Sequence, residues 1–169
     1  VILMKLIYRD KIMGEGLHAT TTSLAEIRRY GKETNLITRR LTAQEWQELL
    51  TYDILAVNAD GLWVHTKYGE EIPRRNGKNE VVVIREMWGL THGEKILHTA
   101  HRTTTSTSAA RRLDARLVGA GYEEVARIKK GDKYDKHFTY TKQLGMERIV
   151  LLGEGGGTID FRTRSSSGG

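Results

Sequence analysis

The segment Leu17-His18-Ala19-Thr20-Thr21-Thr22-Ser23 runs into Leu24-Ala25-Glu26-Ile27-Arg28-Arg29. It returns, altered, as Leu97-His98-Thr99-Ala100-His101-Arg102-Thr103-Thr104-Thr105-Ser106, running into Ala109-Ala110-Arg111-Arg112-Leu113. Each stretch follows a short apolar run and a glycine-containing turn. Each leads into a helical pattern that carries an Arg-Arg pair. β-branched threonines suit a pleated surface, and Ser23 with Glu26 has the capping-box spacing that opens a helix. Both copies therefore read strand, turn, strand, helix, strand. The fold class expected is α+β, built from two ββαβ-like pseudo-repeats and a C-terminal β-hairpin.

Working outward, Lys5 to Met13 alternates as a strand, Leu17 to Thr22 returns, residues 24–30 form a helix, and Asn35 to Leu41 form the third strand. Thr42 with Glu45 is a second capping box, opening a helix through Tyr52 with Trp46, Leu49 and Leu50 inward. Ile54 to Val57 and Leu62 to Thr66 make a hairpin around Asn58-Ala59-Asp60-Gly61. In the second copy, Val81-Val82-Val83-Ile84 marks Glu80 to Trp88 as a buried strand. Lys95 to Thr105 is the return strand, residues 107–118 the helix with Ala110, Leu113 and Leu117 on one side, and Tyr122 to Ile128 the third strand. Lys136 to Thr141, Met146 to Leu152 and Thr158 to Arg164 are further strands, the last two joined across Gly153-Glu154-Gly155-Gly156-Gly157. The organisation expected is residues 1–69 as a first half with an added helix and hairpin, 70–79 as a linker or mobile loop around Pro73, 80–164 as the second half, and 165–169 as a flexible tail.

Composition narrows the chemistry. Of 169 residues, 38% are hydrophobic, enough for a packed core. The apolar runs are too short to span a bilayer, and the N-terminus lacks the pattern of a signal peptide, so no membrane partner and a cytoplasmic location are expected. No cysteine is present, which removes disulfides, thiolate catalysis and Cys-ligated zinc together. A net charge of +6 favours anionic partners, nucleic acid first among them.

Repeated basic doublets mark where such a partner would lie: Arg28-Arg29, Arg39-Arg40, Arg74-Arg75, Arg111-Arg112 and Lys129-Lys130, with Arg102 beside the second threonine run. Phosphate contacts of this kind supply affinity without reading sequence. The hydroxyls of Thr20 to Ser23 and Thr103 to Ser106, next to helix starts, suit the same ligand. Solvated helix faces carry the same doublets, and that reading stays beside the functional one.

A second chemistry rests on His18-x-Thr20 and His101-x-Thr103. Paired His-x-Thr motifs, one per pseudo-repeat, resemble the signature of the 2H phosphoesterases. The resemblance implies that His18 and His101 share acid–base work on a phosphodiester, with Thr20 and Thr103 holding phosphate oxygens. It departs from that family in the elements before each motif, and His98 competes with His101 as the counterpart of His18. Trp88-Gly89, a helix carrying Ala110, and Gly121-Tyr122 loosely resemble the WGR module, a small DNA-engaging fold; Leu90 and His92 depart from it. The six histidines show no metal-site spacing, and His98 with His137 would share a zinc only by folding together. No cofactor is implied. The preferred expectation is a small basic nucleic-acid-binding protein without catalysis of its own. Phosphodiester cleavage and a protein-binding adaptor or inhibitor are the alternatives, oligomeric state being left open.

Overall fold

A computed structural model describes residues 19–20, 44–58, 60, 62–73, 76–129 and 133–164. The elements in chain order are β1 (Ala19–Thr20), α1 (Glu45–Ile54), β2 (Ala56–Val57), α2 (Lys78–Thr91), β3 (Lys95–Ala100), α3 (Thr103–Gly119), β4 (Glu123–Glu124), β5 (His137–Thr141), β6 (Arg148–Leu151) and β7 (Thr158–Thr163). β1 pairs antiparallel with β2 as a two-stranded unit, and the other strands form a mixed sheet in the order β3-β7-β6-β5-β4. The protein is α+β.

Period-two alternation places one face of this sheet in the core. Phe138, Ile149, Leu151, Ile159 and Phe161 point to the side covered by helices, where they meet Met87 and Leu90 of α2 and Leu113 and Leu117 of α3. Their neighbours Thr139, Arg148, Asp160 and Arg162 share the opposite face, as the antiparallel register requires. The C-terminal hairpin forms as expected, across the glycine-rich turn. Gly157 belongs there for a steric reason: a Cβ would lie 2.5 Å from the Glu94 carbonyl oxygen. Its N–H donates to the Leu90 carbonyl at 2.7 Å, locking the turn onto the end of α2.

The largest correction concerns Glu80 to Trp88, which is helix rather than strand. The β-branched run suggests a strand, but a short apolar run does not distinguish a buried strand from a buried helix. Burial decides it. Val81, Ile84 and Trp88, with Val83, Met87 and Leu90, recur at helical spacing, while Val82 turns outward. Gly77 precedes the helix with φ 77°, and Gly93 follows His92 in the same left-handed region, the usual place for a terminating glycine.

Other boundaries move for related reasons. α3 begins at Thr103, so Thr103 to Thr105 leave the expected strand, and Ser106 is buried in the helix's first turns. α1 begins at Glu45, which makes that residue the first of the helix; Gln47 supplies the return hydrogen bond, accepting from the Gln44 N–H at 2.9 Å. The hairpin after α1 survives in shortened form, held by the Asn58 side chain and a single bridge from Val57 to Trp63. Only Glu123–Glu124 of the stretch from Tyr122 to Ile128 is strand. Within residues 70–79, Ile72 packs with Leu50 and Val81, and Gln47 donates to the Gly77 carbonyl at 3.0 Å. From residue 78 the path therefore runs helix, strand, helix, strand. In the first copy, β1 falls inside the strand expected at Leu17 to Thr22. The strand at 5–13, the helix at 24–30 and the strand at 35–41 lie outside the described residues, as does the tail 165–169.

Val82→Ala tests the corrected element. Replacing an exposed β-branched residue with alanine in a helix raises stability by about 0.5 kcal/mol, whereas in a strand it lowers stability. Urea denaturation of the two proteins reads the sign.

Candidate functional site

Two parallel strands finish side by side. The register pairs Ala100 with Thr163, and the Arg164 N–H donates to the Ala100 carbonyl at 2.9 Å. From there the chain bends through His101 and Arg102 and enters α3 at Thr103. The Arg102 carbonyl accepts from the N–H groups of Thr105 and Ser106 at 3.0 and 3.1 Å. The Thr103 and Thr104 N–H groups precede those first helical bonds and are among the orphan donors of a helix start. Arg102 is the N-cap, and a guanidinium has no acceptor with which to satisfy them.

The electrostatics at this end are one-sided. The first turn of α3 holds no acidic residue, so its macrodipole leaves roughly half a positive charge uncompensated. His101, Arg102 and Arg164 are all exposed around it. Among the described residues neither arginine forms an ion pair. The Thr163 hydroxyl donates to the Thr103 hydroxyl at 3.2 Å, joining strand end and helix start. One turn deeper, Thr107 donates to Glu147 at 2.5 Å, a carboxylate only 2% exposed. Donors at the surface with the acid buried beneath suit an anion approaching from solvent.

The structure places the sequence-selected residues unevenly. Arg102, His101 and Thr103 converge at this end, and Arg111 is exposed further along α3. Arg112 lies 3.9 Å from Glu80, and the buried Arg116 binds the same carboxylate at 3.1 Å, so this part of α3 is tied to the start of α2. Lys129 is exposed, its N–H donating to the Tyr134 hydroxyl at 2.8 Å. Thr20 is in β1. His18, Arg28, Arg29, Arg39, Arg40, Arg74, Arg75 and Lys130 lie outside the described residues.

The second His-x-Thr motif differs from its expected geometry. His101 sits in the bend and Thr103 is the first residue of a helix, so the two do not share one strand face. The strand histidine is His98, whose Nδ1 lies 2.6 Å from Glu86 Oε1. β7 and β6 separate His98 on β3 from His137 on β5. Arg164 was missed by sequence reasoning because it belongs to no doublet. Only the partnering of β7 with β3 brings it to Arg102, and a parallel pairing across such a separation leaves no local signal.

A second polar cluster lies between α3 and the far half of the sheet. Thr107, Arg111 and Asp114 share a helix face, with Glu124, Tyr140 and Lys142 near Asp114. Burial, and then the Glu124 charge, push the Asp114 carboxyl above the usual aspartate range, against the opposing pull of Lys142. Burial with Asp114 and Glu147 pushes the Tyr140 hydroxyl up to about 12. Asp114 Oδ1 and Glu147 Oε2 are buried without a hydrogen-bond partner. For Asp114, burial beside Glu124 favours the protonated carboxyl.

Comparison of the chain with protein-family models, curated proteins and solved structures found no match.

Because the folded state holds the Asp114 proton more tightly than the unfolded chain, the contribution of Asp114 to stability is fully present below the unfolded aspartate pKa and is lost as pH rises through the raised folded one. Asp114→Asn removes that fall and is more stable than the parent at neutral pH, read as melting temperature against pH.

Proposed function

We propose that this protein binds nucleic acid through phosphate-backbone contacts centred on the start of α3, without chemistry of its own. The observation that supports the reading is the convergence of Arg102 and Arg164 on a helix start that has no acid in its first turn. The 17-residue helix supplies a full macrodipole, and its first N–H groups lack intrahelical partners. Arg111 is a further exposed cation on α3, and the overall charge of +6 supports approach to a polyanion.

Charge pairing elsewhere sharpens the choice of surface. On the sheet face opposite the helices, Arg162 donates to Asp160 at 2.7 Å and Arg148 lies 4.0 Å from the same carboxylate. Those cations are already shared. Arg102 and Arg164 are free to neutralise phosphate and release its counterions, a term that dominates sequence-independent binding.

Fluorescence anisotropy with a labelled duplex and a labelled single strand, over a series of salt concentrations, tests this. Binding weakens linearly in log salt, and Arg102→Ala or Arg164→Ala each lowers the slope by roughly 0.7–0.9. Salt-independent binding, or unchanged slopes in both folded variants, removes the proposal. Cleavage of the labelled strand that His101→Ala abolishes would replace it with phosphodiester hydrolysis.

A further inference from the structure

Among the described residues β3 is an edge strand, with β7 its only neighbour. In a parallel ladder alternate residues bond to the same neighbour. Thr158 N–H donates to the Glu94 carbonyl and Arg164 N–H to the Ala100 carbonyl, so Glu94, Ile96, His98 and Ala100 serve β7. Lys95, Leu97 and Thr99 consequently turn their N–H and carbonyl groups to the open side. Their side chains are exposed as well, Leu97 at 64%. Native proteins ordinarily protect such an edge with charge, proline or a covering element. This one has a lysine at its start and an exposed leucine at its middle.

A groove of about 660 Å³ runs along that edge, within the size of ligand clefts, about 300–1,000 Å³. The residues from Glu94 to Thr99 form one side. Ile54, Tyr68, Glu70, Val82 and Glu86 are among those forming the rest. Its lining combines apolar side chains with the carboxylates of Glu70, Glu86 and Glu94 and with Arg85, Lys95 and His98. Arg85 holds Glu94 in a two-pronged pair at 2.7 and 3.0 Å, and Glu86 is bonded to His98. Among the described residues no cation lies within ion-pair distance of Glu70, whose carboxyl is raised by desolvation against the pull of Lys78.

We propose that this groove takes an extended peptide segment that adds a strand to β3, with an apolar side chain against Ile54 and Val82 and a lysine or arginine toward Glu70. The main-chain groups of Lys95, Leu97 and Thr99 supply the pairing, and alternate side chains of the peptide enter the groove, as in other strand-addition complexes. Glu70 lines this groove with no cation in ion-pair reach among the described residues, so charge complementarity argues for a segment that brings its own lysine or arginine. This peptide site lies on the edge of β3 and is independent of the phosphate reading at the start of α3.

The probe is a fluorescein-labelled heptapeptide of threonines with valine, lysine and valine at its even positions, titrated into the full chain. Two further versions carry N-methyl groups on the even or on the odd residues. One N-methylated series loses affinity by at least about tenfold while the other binds as the parent peptide does, because only alternate N–H groups face β3. Leu97→Pro, tolerated at an edge where the N–H faces solvent, weakens the parent peptide similarly, with folding checked by circular dichroism. Glu70→Lys weakens the lysine peptide and restores binding when its lysine is exchanged for glutamate. Equal binding of both N-methylated peptides, or no binding at millimolar peptide, overturns the proposal. A concentration-dependent dimer in sedimentation that Leu97→Pro dissolves also overturns it, assigning the edge to a second copy.

Discussion

The parallel pairing of β3 with β7 is the constraint on which the rest of the structure depends. β7 is the last strand described, yet it lies between β3 and β6 and gives β3 its only described neighbour. Six residue pairs are in register, from Lys95 with Thr158 to Ala100 with Thr163. The same insertion places Ile159 and Phe161 in the middle of the core and sets Arg164 beside the bend that opens α3. Among the described residues it also leaves the far edge of β3 unpaired. Long-range parallel pairing forms only after its loop-closure entropy has been met.

α2 is held over that sheet by polar and aromatic contacts as well as apolar ones. The Arg85 guanidinium lies 5.5 Å from the Trp63 ring centre and 5.3 Å from that of Trp88, and it grips Glu94 just before β3. Gly89 makes this approach possible, since a Cβ there would overlap the Glu94 carboxylate and lie 2.9 Å from Arg85 Nη1. Trp88 stacks on His92 with ring centres 4.0 Å apart. The Trp-Gly pair that stands out in the sequence thus has a local structural reason. A cation between two aromatic rings and a carboxylate satisfies both its charge and its flat faces.

The two proposed surfaces differ in what keeps them open. At the start of α3, the N-cap arginine has no acceptor, and Glu147, one turn deeper, is buried and already accepts a hydrogen bond from Thr107. Along β3, the main-chain groups are left by the arithmetic of a parallel ladder. One surface is positive and made of charge. The other carries acid among apolar walls and is made of backbone.

Much of this was legible in the residues themselves. The C-terminal hairpin, β5 and the apolar face of α3 at Ala110, Leu113 and Leu117 follow from alternation, helical spacing and glycine punctuation, which act over a few neighbours. What failed was wherever local preference was outvoted. Val81 to Ile84 prefers a strand, yet packing of Val81, Ile84 and Trp88 against two other elements holds it helical. Thr103 to Thr105 fits a pleat, yet these residues sit in the first turn of a helix. The partner of β3, the arrival of Arg164 at Arg102, the Glu86 bond to His98 and the free edge at Leu97 were settled only by tertiary structure. Each depends on two segments distant in sequence meeting in space, and neither segment alone carries the information about which other it will meet.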